Sequence, residues 1–212
     1  MKFKMNSILG TIMCIMLVAL TACNDGKKEE EKMKMEQERM EVEAAEKEEM
    51  EMKEKEEAKR VAMENSIAGK ARKDENLSTL VTALNSADLA TMLSEPGNYT
   101  VFAPTNQAFS KLPEGTVDNL LMAENKEKLQ NVLQYHVVSG KITSDKFAEA
   151  IKGANGNYKF KTVTGEELTA MMDGDQFVIK DSRGMKSQVV QGNVDASNGI
   201  VYVVNDVLMA KK

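Results

Sequence analysis

The ten residues from Thr100 to Phe109 constrain this chain more than any other stretch. Thr100, Val101, Phe102 and Ala103 have the β-branched and aromatic character of a short buried strand. Pro104 stops that strand, because proline has no N–H to give to a ladder and fixes its own φ. Thr105 then offers a side-chain oxygen to cap a short helix carrying Ala108 and Phe109. Strand, proline, cap and helix follow one another without a spacer.

Around this segment the pattern alternates between helical and strand periods. Leu77, Leu80, Val81 and Leu84 form an amphipathic stripe, Asn85 and Ser86 interrupt it, and Leu89, Met92 and Leu93 suggest a shorter helix. Pro96 and Gly97 turn the chain into the Thr100 strand. Thr116 is placed to cap a helix running through Met122, and Lys126 to about Tyr135 forms another that buries Leu129, Val132 and Leu133. Beyond it, Tyr158–Val163 alternates in period two. Leu168–Met172 and Gln176–Ile179 flank the turn Asp173-Gly174-Asp175, and Gln188–Val190 and Ile200–Val204 follow. Helices first and hairpins later predict an α+β fold with an antiparallel sheet. The Asn-Gly pairs at 155 and 198 read as turn chemistry.

The N-terminus has a different character. Lys2 and Lys4 precede an apolar run, Ile8–Leu20, the pattern of a secretory signal. The run is too short to span a bilayer comfortably. It closes with Leu20, Thr21, Ala22 and Cys23, which resembles the bacterial lipobox. That resemblance implies cleavage before Cys23 and acylation of its sulfur and new amino group. The alternative is an ordinary signal peptide or anchor with an incidental cysteine. Acyl chains contribute about 0.8 kcal/mol per buried methylene, so two or three of them make a permanent anchor. Asn24 after the cysteine fits export to an outer membrane, and Glu29-Glu30-Glu31 is similar to surface-export signals of some bacterial lipoproteins.

Residues Lys27 to Arg60 are almost wholly Glu, Lys, Met and Ala, strong helix formers, with no Gly or Pro. Glu30/Lys34, Glu43/Lys47, Glu49/Lys53, Glu51/Lys55 and Glu56/Arg60 are i,i+4 pairs in the favourable direction, each worth about 0.3 kcal/mol. A helix from Lys28 to Ala68 would run about 60 Å at about 1.5 Å per residue. Met33 and Met40 are a heptad apart, but Lys47 and Glu54 break the series, so a coiled-coil seam is not sustained. The alternatives are a solvated helix or partly disordered tether, and self-association of the stalk through its methionines. With 212 residues, 42% apolar and 29% charged, the parts are a signal peptide over 1–22, a stalk over 23–61 and one domain over 62–212.

Three segments resemble the signature regions of the fasciclin (FAS1) domain family. The first is Thr100–Phe109. The second runs Val132, Leu133, Gln134, Tyr135, His136, Val137, Val138 with Gly140, Lys141 and Ile142; the third spans Ala196 to Val204. The resemblance covers about Ser66 to Met209 and implies a wedge-shaped β-sandwich with flanking helices. It also implies a non-catalytic extracellular domain used in adhesion and matrix-type interactions. Two positions depart from the family pattern. Tyr202 stands where many members have His, and Asn193-Val194 stands where animal members carry an Asp-Ile integrin-contact motif. An integrin-type contact through a carboxylate at that site is therefore not expected.

The remaining chemistry is sparse. Cys14 and Cys23 both precede the domain, which excludes a disulfide framework or Cys-based metal site within it. A single histidine, His136, excludes a histidine-rich metal site. There is no Gly-x-Ser-x-Gly elbow and no phosphate-cradling glycine loop. Asp173-Gly174-Asp175 is too short for an EF-hand loop. Neither an enzyme nor a cofactor is expected. Removing Lys2 and Lys4 with the signal takes the formal net charge from −5 to −7, which disfavours nucleic acid.

His136 shares a helix face with Leu129, Val132 and Leu133, so a packed imidazole with both nitrogens hydrogen-bonded competes with a recognition role. Tyr135 can pack its ring and still show its hydroxyl. In the family this Tyr-His pair is associated with adhesion, which makes Tyr135 and His136 the candidate partner-binding residues and Cys23 the lipidation site. Two functions from different classes follow. One is a lipid-anchored envelope protein, at the outer membrane and surface-exposed, that binds a protein or glycan. The other is a carrier of an apolar small molecule, for which 5% aromatic content without tryptophan offers little support.

Overall fold

The computed structural model describes residues 26–211. Cys23 and the signal segment lie outside them. The chain divides after Glu54 into two units, Met1–Glu54 and Lys55–Lys212.

The charged stretch forms α1 (Gly26–Glu64). From Glu29 to Glu64 every side chain is exposed, including Met33, Met40 and Met50. Its methionines point around the helix instead of along one stripe, so local pairing must support it. Lys53 meets Glu49 at 2.7 Å, while Arg60 takes Glu57 at i−3 in place of Glu56. Among the described residues no helix is long and apolar enough to cross a membrane.

In the second unit α1 ends at Glu64 and the chain turns sharply into α2 (Ile67–Lys73), whose N-cap Ser66 accepts from the Gly69 N–H at 3.1 Å. A Cβ on Gly69 would sit 2.3 Å from the Glu64 carbonyl oxygen, so only glycine permits this close approach. Then follow α3 (Ser78–Ser86), β1 (Tyr99–Pro104), α4 (Asn106–Ser110), α5 (Thr116–Leu121), α6 (Lys126–Tyr135), β2 (Val137–Ser139) and α7 (Ser144–Gly153). The chain closes with β3 (Tyr158–Lys161), β4 (Glu167–Asp173), β5 (Gln176–Lys180), β6 (Lys186–Ala196) and β7 (Gly199–Val204).

Two local expectations change. The helix expected over Leu89–Leu93 is a series of turns. Asp88, at φ 55°, ends α3, and the Leu93 carbonyl is drawn away to the Ala68 N–H and the Asn198 amide. At α5, Gly115 (φ 75°) occupies the cap position and Thr116 is the first helical residue. Thr105 does cap α4, accepting from the Ala108 N–H at 3.1 Å.

The fold is α+β, with seven strands in the order β2-β1-β7-β6-β5-β4-β3. The sandwich is one continuous sheet folded on itself at β6: Lys186–Gln188 pair with β5, and Val189–Ala196 pair with β7 across two register shifts. The sheet is not wholly antiparallel, as the hairpin pattern suggests. β1 and β7 run parallel, with Val101 opposite Val201 and Phe102 opposite Tyr202. Alternate residues of both strands enter two different cores, and parallel strands need both faces covered. Val101, Ala103, Val201 and Val203 pack with Leu80, Leu84, Leu129 and Leu133 from the helices. Phe102, Ile200, Tyr202 and Val204 pack with Phe147, Phe160, Leu168 and Ile179. At the ends of the sheet the Val163 N–H donates to the Val137 carbonyl at 2.8 Å, bringing the chain beyond β3 back to β2.

Asn198 does more than form a turn. It is 1% exposed; its Oδ1 accepts from the Ile67 N–H at 2.8 Å, and its Nδ2 donates to the carbonyls of Leu93 (2.8 Å) and Glu95 (2.9 Å). One side chain thus joins the start of α2, the turns after α3 and the entry to β7. Beside it, a Cβ on Gly199 would lie 2.0 Å from the Tyr99 oxygen, so the parallel pair closes only over glycine. Asn198→Ala is expected to lower stability by about 2–3 kcal/mol, the cost of stranding buried backbone groups. Chemical denaturation of the variant against the wild type measures it.

Candidate functional site

The Tyr-His segment closes α6. His136 stands at the C-cap with φ −86° and ψ −2°, its own N–H bonded back to the Leu133 and Gln134 carbonyls. That turn directs its ring into the interior, where it is 2% exposed. Nδ1 lies 2.8 Å from the Val132 carbonyl, and Nε2 lies 3.0 Å from the Leu208 backbone nitrogen. Because the Leu208 N–H can only donate, Nε2 accepts and Nδ1 carries the proton. The His136 carbonyl accepts from the Phe102 N–H at 2.9 Å. One residue therefore connects α6, β1 and the C-terminal segment.

Tyr135 is 1% exposed. Its hydroxyl accepts from the Ser182 N–H at 3.0 Å and donates to the Glu167 carbonyl at 3.4 Å. Burial raises its pKa. Neither candidate partner-binding side chain presents surface in this state. A partner would have to displace the C-terminal segment to reach the imidazole.

Asp181, which is not among the candidate residues named from the sequence, is the third member of this cluster. It is 3% exposed. Its Oδ1 accepts from the Arg183 (3.0 Å) and Met185 (2.9 Å) N–H groups, and its Oδ2 accepts from the Met209 N–H at 3.2 Å. The Arg183 guanidinium stands 3.4 Å away. With Lys211 N–H donating to Ser182 Oγ at 2.8 Å, residues 208–211 are held by alternate contacts to His136, Asp181 and Ser182. The signal in the sequence was the Asp-Ser-Arg-Gly turn between two strands, where an Asp commonly bonds the backbone two residues on.

The two departures from the family pattern also find structural places. Tyr202 is buried, stacks on Phe102 at 5.8 Å and donates its hydroxyl to the Ile142 carbonyl at 2.9 Å. Asn193 is exposed at φ 58° within the irregular stretch of β6. Asn is one of the few side chains that adopt this conformation readily.

Chemically the cluster is a clasp. Both nitrogens of His136 are occupied by backbone groups, so the imidazole has no free lone pair for a substrate proton. Among the described residues no group of three or more His, Cys, Asp or Glu side chains could hold a metal ion.

A helix-flanked, folded sheet whose histidine serves as an internal clasp is a fold of the fasciclin type. The fasciclin domain pattern matches residues 75–210, and this chain belongs to that family. It is 43% identical over 146 residues to protein sll1483 of a Synechocystis species, covering 68% of this chain and 73% of that protein. It is 32% identical over 151 residues to the cell surface glycolipoprotein MPB83 of Mycobacterium bovis, covering 69% of this chain and 61% of the relative. The fold matches a solved FAS1 domain pair from the insect cell adhesion molecule fasciclin I, with a TM-score of 0.62 and 18% identity. That match covers 68% of this chain and about half (51%) of the insect structure. Proteins with this domain are often adhesion-related or cell-surface proteins and are generally not enzymes.

Burial lowers the His136 pKa from 6.5 to about 4, with the Val132 hydrogen bond and the Asp181 charge opposing. The folded state therefore binds fewer protons here than the unfolded chain. The stability this site contributes is complete above about pH 6.5 and is lost as pH falls toward 4. At about 1.4 kcal/mol per unit, the loss is about 3 kcal/mol. Denaturant melts from pH 7 to pH 4 should show this slope, and His136→Ala should be less stable at pH 7 and flatter across that range.

Proposed function

We propose that this chain is a lipid-anchored protein of a bacterial cell envelope that displays its fasciclin domain for binding a protein or glycan. The observation that carries the reading is the order of parts along one chain. A lipobox-like Leu20–Cys23 comes first, an exposed charged helix follows, and a fasciclin domain ends it. The similarity to a cell surface glycolipoprotein supports the envelope location. In this reading residues 1–22 are removed, Cys23 carries the acyl chains, residues 23–61 are the tether and 62–212 the binding domain. The anchor faces an outer membrane, and the domain acts without catalysis.

Since Tyr135 and His136 are buried, the recognition surface is assigned to exposed side chains, and the Tyr-His pair supports them by holding the fold. Substitution of either residue then weakens adhesion only to the extent that it lowers stability.

Acyl labelling of the host protein, combined with protease treatment of intact cells, tests this. Wild type should incorporate labelled fatty acid, Cys23→Ser should not, and the domain should be released from intact cells. Persistent labelling of Cys23→Ser would overturn the anchor. Protection from protease until lysis would overturn surface display.

A further inference from the structure

A cavity of about 690 Å³ opens beside the last turns of α1, lined entirely by residues of the second unit. Its volume falls within the range of about 300–1,000 Å³ typical of small-molecule sites. The apolar part of its wall is Ala62 and Met63 from α1, with Ala90 and Pro96 from the turns after α3. Met63 is 45% exposed, and its unbranched thioether can adjust to a guest.

The charges are uneven. Lys59 and Arg72 both line the cavity, and neither has an ion-pair or hydrogen-bond partner among the described residues. Of the two acids there, Asp88 is engaged by the Lys126 ammonium, leaving Glu95 as the one unmatched carboxylate. Among the residues lining this cavity, two unmatched cations face one unmatched carboxylate, while Glu56 and Glu64 line the adjoining cavity that shares Lys59 and Arg72. A strongly hydrated anion gains nothing from the Ala62, Met63, Ala90 and Pro96 wall, and a neutral apolar guest leaves both cations unanswered.

We propose that this cavity binds a long-chain monocarboxylate, a free fatty acid. Its hydrocarbon tail lies along the apolar wall. Its carboxylate is received by the planar fork of Arg72, whose geometry suits a bidentate pair, with Lys59 adding charge. The site goes beyond envelope display and does not depend on it, so either reading can fail alone.

The test is a fluorescence titration of the full chain with cis-parinaric acid, followed by displacement with palmitate. Two variants accompany the wild type: Arg72→Gln removes the head contact, and Thr91→Trp fills the cavity from an exposed position. Thermal melts establish that both remain folded. The expected result is saturable, one-to-one binding, weakened at least tenfold in Arg72→Gln and lost in Thr91→Trp. Hexadecanol should fail to displace the probe at concentrations where palmitate succeeds. Absence of saturable binding, equal binding by the folded variants, or equal displacement by hexadecanol would each overturn the proposal.

Discussion

The parallel pairing of β1 with β7 is the contact on which the rest of the domain depends. The two strands stand about a hundred residues apart in sequence, yet they lie side by side from Tyr99/Gly199 to Pro104/Val204. Their alternate side chains feed two separate cores, so losing the pair would open both. The helices before β1 and the hairpins before β7 therefore stabilise each other only after these two distant strands have met. Such long-range closure costs loop entropy before any packing offsets it, which places this topology among the slower folders.

The sequence made some of this plain and concealed the rest, for physical reasons. The strand, proline and cap of Thr100–Phe109 are local signals, and local signals survive into structure: Thr105 caps the helix it precedes. The helix over Lys126–Tyr135 was equally legible from its apolar spacing. The direction of β7 relative to β1 was not, because pairing between residues a hundred apart leaves no local trace. The Leu89–Leu93 segment has the spacing of a helix, but Asp88 breaks the helix before it and the Leu93 carbonyl is taken by Ala68 and Asn198, so the segment stays a series of turns. The seven-residue α2 fell below the length at which periodicity speaks; α7 went unread although Thr143 caps it and Phe147 and Ile151 stand four apart on its buried face.

The site residues divide in a similar way. The reading of His136 as a packed imidazole on an apolar face could be made from spacing alone, and the ring has backbone partners on both nitrogens. Which backbone groups those were could not be foreseen, since Leu208 lies near the far end of the chain. Asp181 was invisible for the same reason: an Asp before a turn is common, and only the fold brings Met209 to its second oxygen. Asn198 was undervalued because Asn-Gly describes a turn so well that its buried side chain goes unasked. The chain-end residues bonded by His136, Asp181 and Ser182 give the buried imidazole a structural role within this domain.

The meeting of the sheet's two ends bears on how many copies can stand together. An open strand edge invites neighbouring molecules to add on and polymerise. Here the Val137 carbonyl is already taken by Val163 of the same chain, and the strand beside that closure carries Lys159 and Lys161. One backbone acceptor of that edge is thus spent internally, and Lys161 adds charge beside it, while Lys159 pairs with Glu167 at 2.8 Å. If the proposed anchoring crowds copies of the chain together, this closure disfavours pairing between their sheet edges.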